Sequence, residues 1–305
     1  MSTPRTTPSS AEPRLATAFW TLAGPVEVGV REWSGRPWRE RCAAASAAGI
    51  TGLGLSGADI VHQIDTGQVA DAAEIRQVAD DHGIVDLELE LVLGFFLPEH
   101  DERAAPFAAG NAAILGAAGA LAPHHVKCGN VTGIEAPLEQ VADGFARFAE
   151  ELAQRCDAPL AYEFTPLDPI VRTLADAVAV ARAAAPGRGG VCLDTWHLGK
   201  LGIEPTALAQ VPPELVTWFE LSDGAAPIPG ATAHDLFVET TTARAFPGEG
   251  ELGVAHYVRA AAGLGYAGPW SVEVFSSAWA HEDLARTCVK TAETGRATLR
   301  AAGLG

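Results

Sequence analysis

The sequence predicts an α/β protein that folds as one single-domain (β/α)8 barrel, the TIM barrel. The first observation is that short strand-like runs alternate with Ala-rich helical runs along the 305 residues. The second is that about eight such units fit into about 285 residues, which is the size of this barrel. The third is that no GxGxxG follows the first strand and no P-loop is present. A doubly wound open sheet is the structural alternative.

The individual elements follow from local composition. Gly49 and Gly83 directly follow helical runs and mark their ends, and Pro186 with Gly187 ends a later one. The third strand alternates acidic and apolar residues. The predicted strands cover residues 17–22, 51–56, 85–93, 124–128, 160–164, 190–194, 216–221 and 270–275, and the predicted helices cover residues 36–48, 71–82, 104–121, 138–155, 174–185, 205–210, 253–263 and 282–302.

Two segments stand outside this alternation. Residues 1–14 are rich in Ser, Thr and Pro and lack the apolar stretch of a signal peptide, so we expect a flexible tail. Residues 227–247 have no clear period, and we expect a long active-site loop there. Residues 15–305 then form one barrel domain.

The composition excludes several classes of partner. The formal net charge of −17 argues against nucleic acid and against anionic membrane surfaces, which need a basic face. The five cysteines are scattered and form no CxxC pair, which favours small buried side chains in a reducing compartment. No run of about 18 uncharged apolar residues is present, so we expect no membrane span and a cytoplasmic location.

An acidic residue stands near the carboxyl end of each of the last four predicted strands. In a barrel these ends meet at one mouth, and a buried acid is costly unless it is paired or binds a cation. A divalent metal ion is the simplest shared partner, with Mn²⁺ or Mg²⁺ favoured by oxygen ligands, and Co²⁺ or Zn²⁺ possible beside an imidazole. For each acid alone, the alternative is an outward position or a pair with a helix Arg or Lys. The four acids are Glu163, Asp194, Glu220 and Glu273.

Five further residues are predicted to bind substrate. Lys127 is a candidate proton shuttle or anion clamp, and Arg244 can bind a carboxylate or phosphate with two hydrogen bonds. The PGEG turn places Glu249 near the mouth. Trp20 can form an apolar wall, and Glu90 on the third strand can contact the substrate. The alternatives are surface positions, barrel packing or internal ion pairs.

His197 follows Asp194 by three residues in LDTWH, where an imidazole can orient substrate or move a proton. LDTWH resembles the DxxH signature of the xylose isomerase-like barrel family, which includes sugar (phosphate) isomerases, epimerases and related lyases. AYEF, ARAFPGEGELG and GYAGPWSVEVFS match in the right order, and the resemblance covers residues 19–299. It implies a TIM barrel with one divalent metal, ligated by Glu163, Asp194 and Glu273, with His197 contacting substrate.

The sequence departs from the family at one position. Members usually carry HxxD in the seventh strand, whereas here Glu220 replaces the His and Asp223 is kept. Some lyases of the family, similar to dehydroshikimate dehydratases, have Gln there, and Glu is nearly isosteric with Gln. Glu220 is therefore predicted as a fourth ligand. Four carboxylates around one divalent ion leave a net charge of about −2. We therefore expect that one acid is protonated or that a cation such as Lys127 or Arg244 lies nearby.

The resemblance implies a metal-dependent sugar (phosphate) isomerase or epimerase. Glu163 and Glu273 would move a proton next to a carbonyl from opposite sides, through a metal-stabilised enediolate. The alternative is a lyase that expels a β-hydroxyl from a cyclic keto-polyol, as in dehydroshikimate or inosose dehydration. A non-catalytic barrel and a DNA-repair enzyme resembling endonuclease IV fit less well. The expected partner is a small sugar or keto-polyol, and relatives of this kind are often homodimers or homotetramers.

Overall fold

The computed structural model describes residues 12–98 and 100–305. Eight parallel strands close into a barrel in sequence order, and β1 pairs with β8, so the predicted TIM barrel is confirmed and the open sheet is excluded. Residues 1–11 of the predicted tail lie outside the described residues. The strands are β1 (Leu15–Thr17), β2 (Gly52–Ser56), β3 (Asp86–Val92), β4 (His125–Gly129), β5 (Leu160–Glu163), β6 (Gly189–Asp194), β7 (Val216–Leu221) and β8 (Trp270–Val272).

Helices follow the strands and cover the outside of the barrel. Short 3-10 turns at Glu102–Ala104, Pro205–Gln210 and Pro213–Leu215 connect some of them. The α-helices are α1 (Phe19–Leu22), α2 (Trp38–Ala47), α3 (Gly57–Asp65), α4 (Ala72–Asp81), α5 (Ala105–Leu121), α6 (Leu138–Ala153), α7 (Leu174–Ala183), α8 (Thr195–Lys200), α9 (Ala233–Thr242), α10 (Val254–Gly263), α11 (Ser277–Ala280) and α12 (Leu284–Ala301).

The first and last strands are shorter than predicted. The first strand, expected at residues 17–22, occupies Leu15–Thr17, and the chain then turns into helix α1. The last strand, expected at residues 270–275, ends at Val272. Both errors have one cause, since the apolar residues beyond each strand end are buried at the barrel mouth and not in the sheet. A hydrophobic pattern alone does not separate these two environments.

The segment 227–247, predicted as a loop, contains helix α9. Thr232 caps this helix: its hydroxyl accepts a hydrogen bond from the Asp235 backbone N–H, and the Asp235 carboxylate accepts one from the Thr232 N–H. This reciprocal capping box satisfies free backbone donors at the helix start. The pattern is readable in the sequence as Thr-x-x-Asp, and it was the signal that could have identified the helix.

A small apolar layer fills the inside of the barrel. It consists of Ala16, Ala161, Cys192 and Trp218, which are at most 1% exposed. The last three each precede a strand-end acid by two residues, so they point to the same side of the sheet, one layer deeper. The larger apolar core lies between strands and helices. The acidic ends of these three strands therefore have small or aromatic apolar residues directly beneath them on the same strand.

One stretch, Glu102–Leu121, is long and apolar enough to cross a membrane by length and composition alone. In the barrel Ile114, Leu115 and Leu121 of this stretch are buried, Phe107 is half-buried, and most of the exposed positions are Ala or Gly. A helix packed on the core of a soluble protein passes the same test. The expectation that the chain has no membrane span stays a prediction.

Two glycines provide a matched test of helix packing. A Cβ at Gly144 of α6 would clash with Phe96 Cα and lie 2.9 Å from the Phe95 carbonyl, whereas a Cβ at Gly116 of α5 meets open space. We expect Gly144→Ala to lower the free energy of unfolding by about 1–3 kcal/mol. Gly116→Ala should raise it by about 0.5–1 kcal/mol, because Ala is the better helix former. Urea unfolding measures both, and equal effects would contradict the packing of α6.

Candidate active site

Three carboxylates and one imidazole converge at the carboxyl end of the barrel. Glu163 ends β5, Asp194 ends β6, His197 lies in α8 and Glu273 directly follows β8. One ligand atom from each lies within 4.8 Å of the others. None of the four residues is more than 4% exposed. The structure thus brings together three of the four predicted metal ligands and places His197 beside them.

The turn after β6 explains why Asp194 and His197 lie together. Asp194 Oδ1 accepts hydrogen bonds from the backbone N–H groups of Trp196 (2.5 Å) and His197 (3.1 Å), so it caps helix α8. A cap and the residue three positions later share the same side of the first helical turn. The Thr195 hydroxyl donates to the Ser222 carbonyl at 2.6 Å and ties α8 to the end of β7.

Arg244 lies between two of the carboxylates. Its Nη1 is 2.8 Å from Asp194 Oδ2 and 2.7 Å from Glu273 Oε2. Its Nε and Nη2 donate to the Thr240 hydroxyl, and its guanidinium lies 5.4 Å from the centroid of the Phe275 ring. Burial would lower the pKa of Arg244, but the two carboxylates outweigh burial and raise it. Arg244 therefore remains charged and neutralises part of the negative charge of Asp194 and Glu273.

The donor set fits a divalent cation. Three carboxylates against the Arg244 guanidinium leave a charge of about −2 in a buried site, where uncompensated charge is costly, and the Lys127 ammonium near Glu273 is shared with further acids. Glu163 Oε1 is buried without a hydrogen bond, and His197 Nε2 lies 3.4 Å from it. Carboxylate oxygens suit Mg²⁺ and Mn²⁺, and the imidazole nitrogen extends the choice to Co²⁺ and Zn²⁺.

A second cluster lies deeper in the barrel, around Lys127 of β4. Lys127 is 1% exposed. Two of the acids around it, Glu163 and Glu273, are also possible metal ligands at the mouth. The carboxylates nearest its Nζ belong to Glu220 at 2.9 Å, Glu90 and Glu273 at 3.0 Å, Glu88 at 3.3 Å and Glu163 at 3.8 Å. The ammonium is therefore the internal counter-charge of the barrel.

The placement of Glu220 differs from the predicted one. Its Oε1 accepts a hydrogen bond from Lys127 at 2.9 Å, and its Oε2 accepts one from Cys192 Sγ at 3.4 Å. Glu220 forms a second group of possible metal ligands with Glu163 and Cys192, and it is not among the four possible ligands that include His197. The physical reason is the buried ammonium, which holds the carboxylate away from the mouth. At the barrel mouth, His197 and not Glu220 is the fourth possible metal ligand.

Burial and Lys127 act in opposite directions on these acids. Burial raises the pKa of Glu88 and of Glu220 well above the usual value, although Lys127 lowers both. Burial would also raise the pKa of Glu163, but the Lys127 ammonium and the neighbouring His197 together outweigh it, and the net direction is downward. Glu163 therefore favours the ionised form that a metal ligand or a base requires, whereas Glu88 and Glu220 favour the protonated form.

A cavity of about 330 Å³ opens onto this site. Its walls include Phe107, Phe237, Phe275 and Thr240, none of which was predicted from the sequence. Phe237 and Thr240 lie on α9, so the capping pattern of this helix is the sequence signal that points to them. Six residues predicted from the sequence also line the cavity: Trp20, Glu90, Glu163, His197, Arg244 and Glu273.

Two residues predicted to bind substrate lie away from the cavity. Lys127 is buried beneath the carboxylates. Glu249 is exposed and pairs with Lys290 of α12. The predicted turn is present, since Gly248 has a φ of 85°, but it directs Glu249 outward. Neither residue is among the described residues that line the cavity.

Asp223 holds the segment that carries Arg244. Its backbone pairs with Ala245 in both directions, at 3.1 and 2.9 Å. Its Oδ2 accepts a hydrogen bond from the Gly248 N–H and its Oδ1 accepts one from the Leu252 N–H, both at 3.0 Å. The residue kept from the HxxD pattern is thus a positioning residue for the loop beside the site.

We expect Asp223→Ala to destabilise the protein by about 1–3 kcal/mol, because several backbone donors lose their acceptor. Hydrogen exchange at the Gly248 and Leu252 amides should accelerate, and this is measured by mass spectrometry. Glu251→Ala is the control, since its carboxylate accepts from Ala226 N–H at an exposed position where water can replace it. Unchanged exchange in the Asp223 variant would contradict the positioning role.

Comparison with known protein families gives one match over most of the chain. A model of the family described as xylose isomerase-like TIM barrel matches residues 42–294. Two curated relatives are 3-dehydroshikimate dehydratases. The one from Pseudomonas putida is 29% identical over 149 residues, 49% of this chain and 23% of that protein. The one from Pseudomonas aeruginosa is 30% identical over 136 residues, 45% of this chain and 20% of that protein. The chain spans less than a quarter of the length of these relatives.

Solved structures share the fold at low sequence identity. A xylose isomerase-like TIM barrel/4-hydroxyphenylpyruvate dioxygenase fusion protein has a TM-score of 0.75 at 20% identity, covering 93% of this chain and 42% of that one. The IOLI protein, described with a binding zinc atom, has a TM-score of 0.74 at 15% identity, covering 95% and 98%. A D-psicose 3-epimerase has a TM-score of 0.65 at 18% identity, covering 95% and 99%.

Proposed function

The chain belongs to the xylose isomerase-like TIM barrel family, and we propose that it is a metal-dependent isomerase or epimerase of a keto-sugar or keto-polyol. The observation that carries the proposal is the convergence of Glu163, Asp194, His197 and Glu273 beside a cavity of about 330 Å³. A related structure is that of a D-psicose 3-epimerase, which supports this class of reaction by analogy of fold.

Glu163, Asp194, His197 and Glu273 would hold the divalent metal ion. When bound, the ion supplies positive charge that stabilises a substrate carbonyl oxygen as negative charge develops on it. The oxygen-rich donor set favours Mn²⁺ or Mg²⁺, and His197 allows Co²⁺ or Zn²⁺. Arg244, which already neutralises part of the charge on Asp194 and Glu273, adds a second fixed cation next to the cavity.

Glu163 and Glu273 carry the proton transfer in this proposal. They reach the cavity from β5 and from the end of β8. One carboxylate accepts the proton from the carbon next to the carbonyl, the C–H electron pair forms a C=C bond, and the carbonyl π pair moves onto the oxygen to give an enediolate. The other carboxyl group returns a proton either to the neighbouring carbon or to the opposite face of the same carbon. His197, whose Nε2 lies 3.4 Å from Glu163 Oε1, would act in this proposal as a metal ligand and would not contact the substrate directly.

A lyase is the second candidate function. The curated relatives are 3-dehydroshikimate dehydratases, at 29 and 30% identity over about half of this chain. The first step is the same proton abstraction, after which the electron pair expels the β-hydroxyl group, which takes a proton from the protonated carboxyl group and leaves as water, so that a conjugated enone remains. The Glu220 substitution also favours this class, since Gln occurs at that position in similar lyases.

One experiment tests both candidates. The Mn²⁺-loaded protein is incubated in D₂O with ketoses and cyclic hydroxyketones and followed by NMR and ultraviolet absorbance. An isomerase or epimerase exchanges one substrate C–H for deuterium without new absorbance, whereas a lyase produces an absorbing enone. Failure to bind any divalent metal ion, together with absence of exchange, would overturn the proposed function.

The partner and location follow from this proposal. A small sugar or keto-polyol is the expected ligand, without nucleic acid or membrane. A homodimer or homotetramer and a cytoplasmic location remain expectations, which size-exclusion chromatography with light scattering and cell fractionation would test.

A further inference from the structure

The cavity above the site has aromatic walls. Trp20 and Phe275 stack with ring centroids 4.6 Å apart and an interplanar angle of 24°, so each ring covers one face of the other and the pair forms one apolar surface of the cavity wall. The Trp20 Nε1 donates to Glu90 Oε2 at 3.0 Å, so the ring is fixed in this orientation. Phe107 of α5 and Phe237 of α9 add two further aromatic side chains from other elements. Such walls favour an apolar ring or chain.

Part of this apolar wall is exposed. Phe237 is 39% exposed and its neighbour Val238 is 45% exposed, although both lie on a helix that borders the cavity. The next turn of α9 is polar, with Thr240 bound to Arg244. An apolar group entering from the mouth would cover Phe237 and remove this surface from water, which is favourable.

The charges around the cavity disfavour an anionic group on the substrate. Among the lining residues that the structure describes, Arg244 is the one Lys or Arg. Each of its three nitrogens already donates to a protein group, and two of its partners are the carboxylates of Asp194 and Glu273. Glu32 and Glu90 add negative charge to the lining. An Arg or Lys side chain binds phosphate most strongly with unpaired donors, whereas the guanidinium of Arg244 is held by Asp194, Glu273 and Thr240.

From the aromatic walls and the absence of a free cation in the described lining, we propose that the substrate is an unphosphorylated hydroxyketone carrying an apolar ring or chain. This inference rests on the proposed function, because the hydroxyketone is the part that would face Glu163, His197 and Glu273. The apolar group lies between the Trp20–Phe275 surface and Phe107 and Phe237. The charges of the lining disfavour sugar phosphates, and among the hydroxyketones of the proposed function the aromatic walls favour those with an apolar substituent.

Binding to the full-length, Mn²⁺-loaded protein tests the inference with two matched pairs of probes. 2-Hydroxyacetophenone and hydroxyacetone differ only by phenyl against methyl next to the same hydroxyketone. We expect the phenyl compound to bind at least about tenfold more tightly by calorimetry. D-Fructose and its 6-phosphate form the second pair, and the phosphate should bind no more tightly than the free sugar. Tighter binding of the phosphate would overturn the inference.

Variants of the wall separate this inference from the proposed function. Phe107→Ala and Phe237→Ala should each weaken binding of 2-hydroxyacetophenone by about tenfold, and each should weaken binding of hydroxyacetone by a smaller factor, so that the preference for the phenyl compound falls. Phe237 is 39% exposed, so its removal leaves the core intact. Val289→Ala, on an exposed face of α12, is the control. If hydroxyacetone undergoes metal-dependent deuterium exchange but the phenyl group gives no gain, the inference is wrong and the proposed function stands. If neither probe binds or exchanges, both are wrong.

Discussion

Replacing Glu273 by Gln is expected to reduce turnover of the metal-loaded protein by about 10²- to 10⁴-fold, the usual contribution of a general acid or base. Gln keeps the shape of the side chain but cannot accept or return a proton. It also removes the negative charge that faces Lys127 at 3.0 Å and Arg244 at 2.7 Å. Because Glu273 is 2% exposed, water cannot replace the lost carboxylate.

Deuterium exchange into the substrate measures the proton step, and calorimetry measures Mn²⁺ affinity on the same variant. Glu293→Gln, at an exposed position of α12, is the matched control and should leave both unchanged. Loss of exchange at saturating Mn²⁺ indicates that Glu273 moves the proton. If exchange at saturating Mn²⁺ equals that of the unchanged protein, Glu273 has no role in proton transfer and the proposed mechanism is wrong.

The barrel itself was predictable, because eight alternations of strand and helix depend only on local patterns. Its strand ends were less so. The segments after β1 and β8 are apolar like the strands that precede them, but they turn into the mouth at Phe19 and beyond Val272. Helix α9 was missed because its length of 10 residues and polar surface give a weak apolar period, and its Thr232–Asp235 capping box was the better signal.

The site was predictable in part, and its internal pairing was not. Acids on successive strands indicate a shared cation, and Glu163, Asp194 and Glu273 do meet. Which acids face the mouth depends on where the buried cations lie. Lys127 and Arg244 look like substrate ligands in the sequence, whereas Lys127 is enclosed by five carboxylates. Such pairing joins residues far apart in the chain and cannot be deduced from spacing.

The cluster around Lys127 leads to the second large effect that we expect. Lys127→Met should lower the free energy of unfolding of the metal-free protein by about 3–5 kcal/mol, because removing one partner leaves buried charges uncompensated. Lys290→Met is the matched control: Lys290 pairs with Glu249 at the surface, and its loss should cost within about 0.5 kcal/mol. Urea unfolding compares the two variants directly.

The loss of stability in the Lys127→Met variant should also depend on pH. Burial raises the pKa of Glu88 and Glu220 in the folded protein, and Lys127 opposes that rise. Without the ammonium, the folded state holds these protons to higher pH than the unfolded state does. Stability contributed by a raised carboxyl pKa is present at low pH and is lost as pH rises through the folded pKa. The Lys127→Met variant should therefore be least destabilised near about pH 5 and most destabilised near about pH 8.

A double variant distinguishes lost charge from lost packing. Lys127→Met combined with Glu220→Gln removes the ammonium together with one of its nearest carboxylates, at 2.9 Å. If uncompensated charge causes the loss, the double variant should be more stable than Lys127→Met alone, and its stability should vary less between about pH 5 and about pH 8. If packing causes it, the two losses should add and the pH dependence should not change. Equal stability of Lys127→Met and Lys290→Met would contradict a role for Lys127 as internal counter-charge, because a buried ammonium among five carboxylates cannot be removed at the cost of a surface pair.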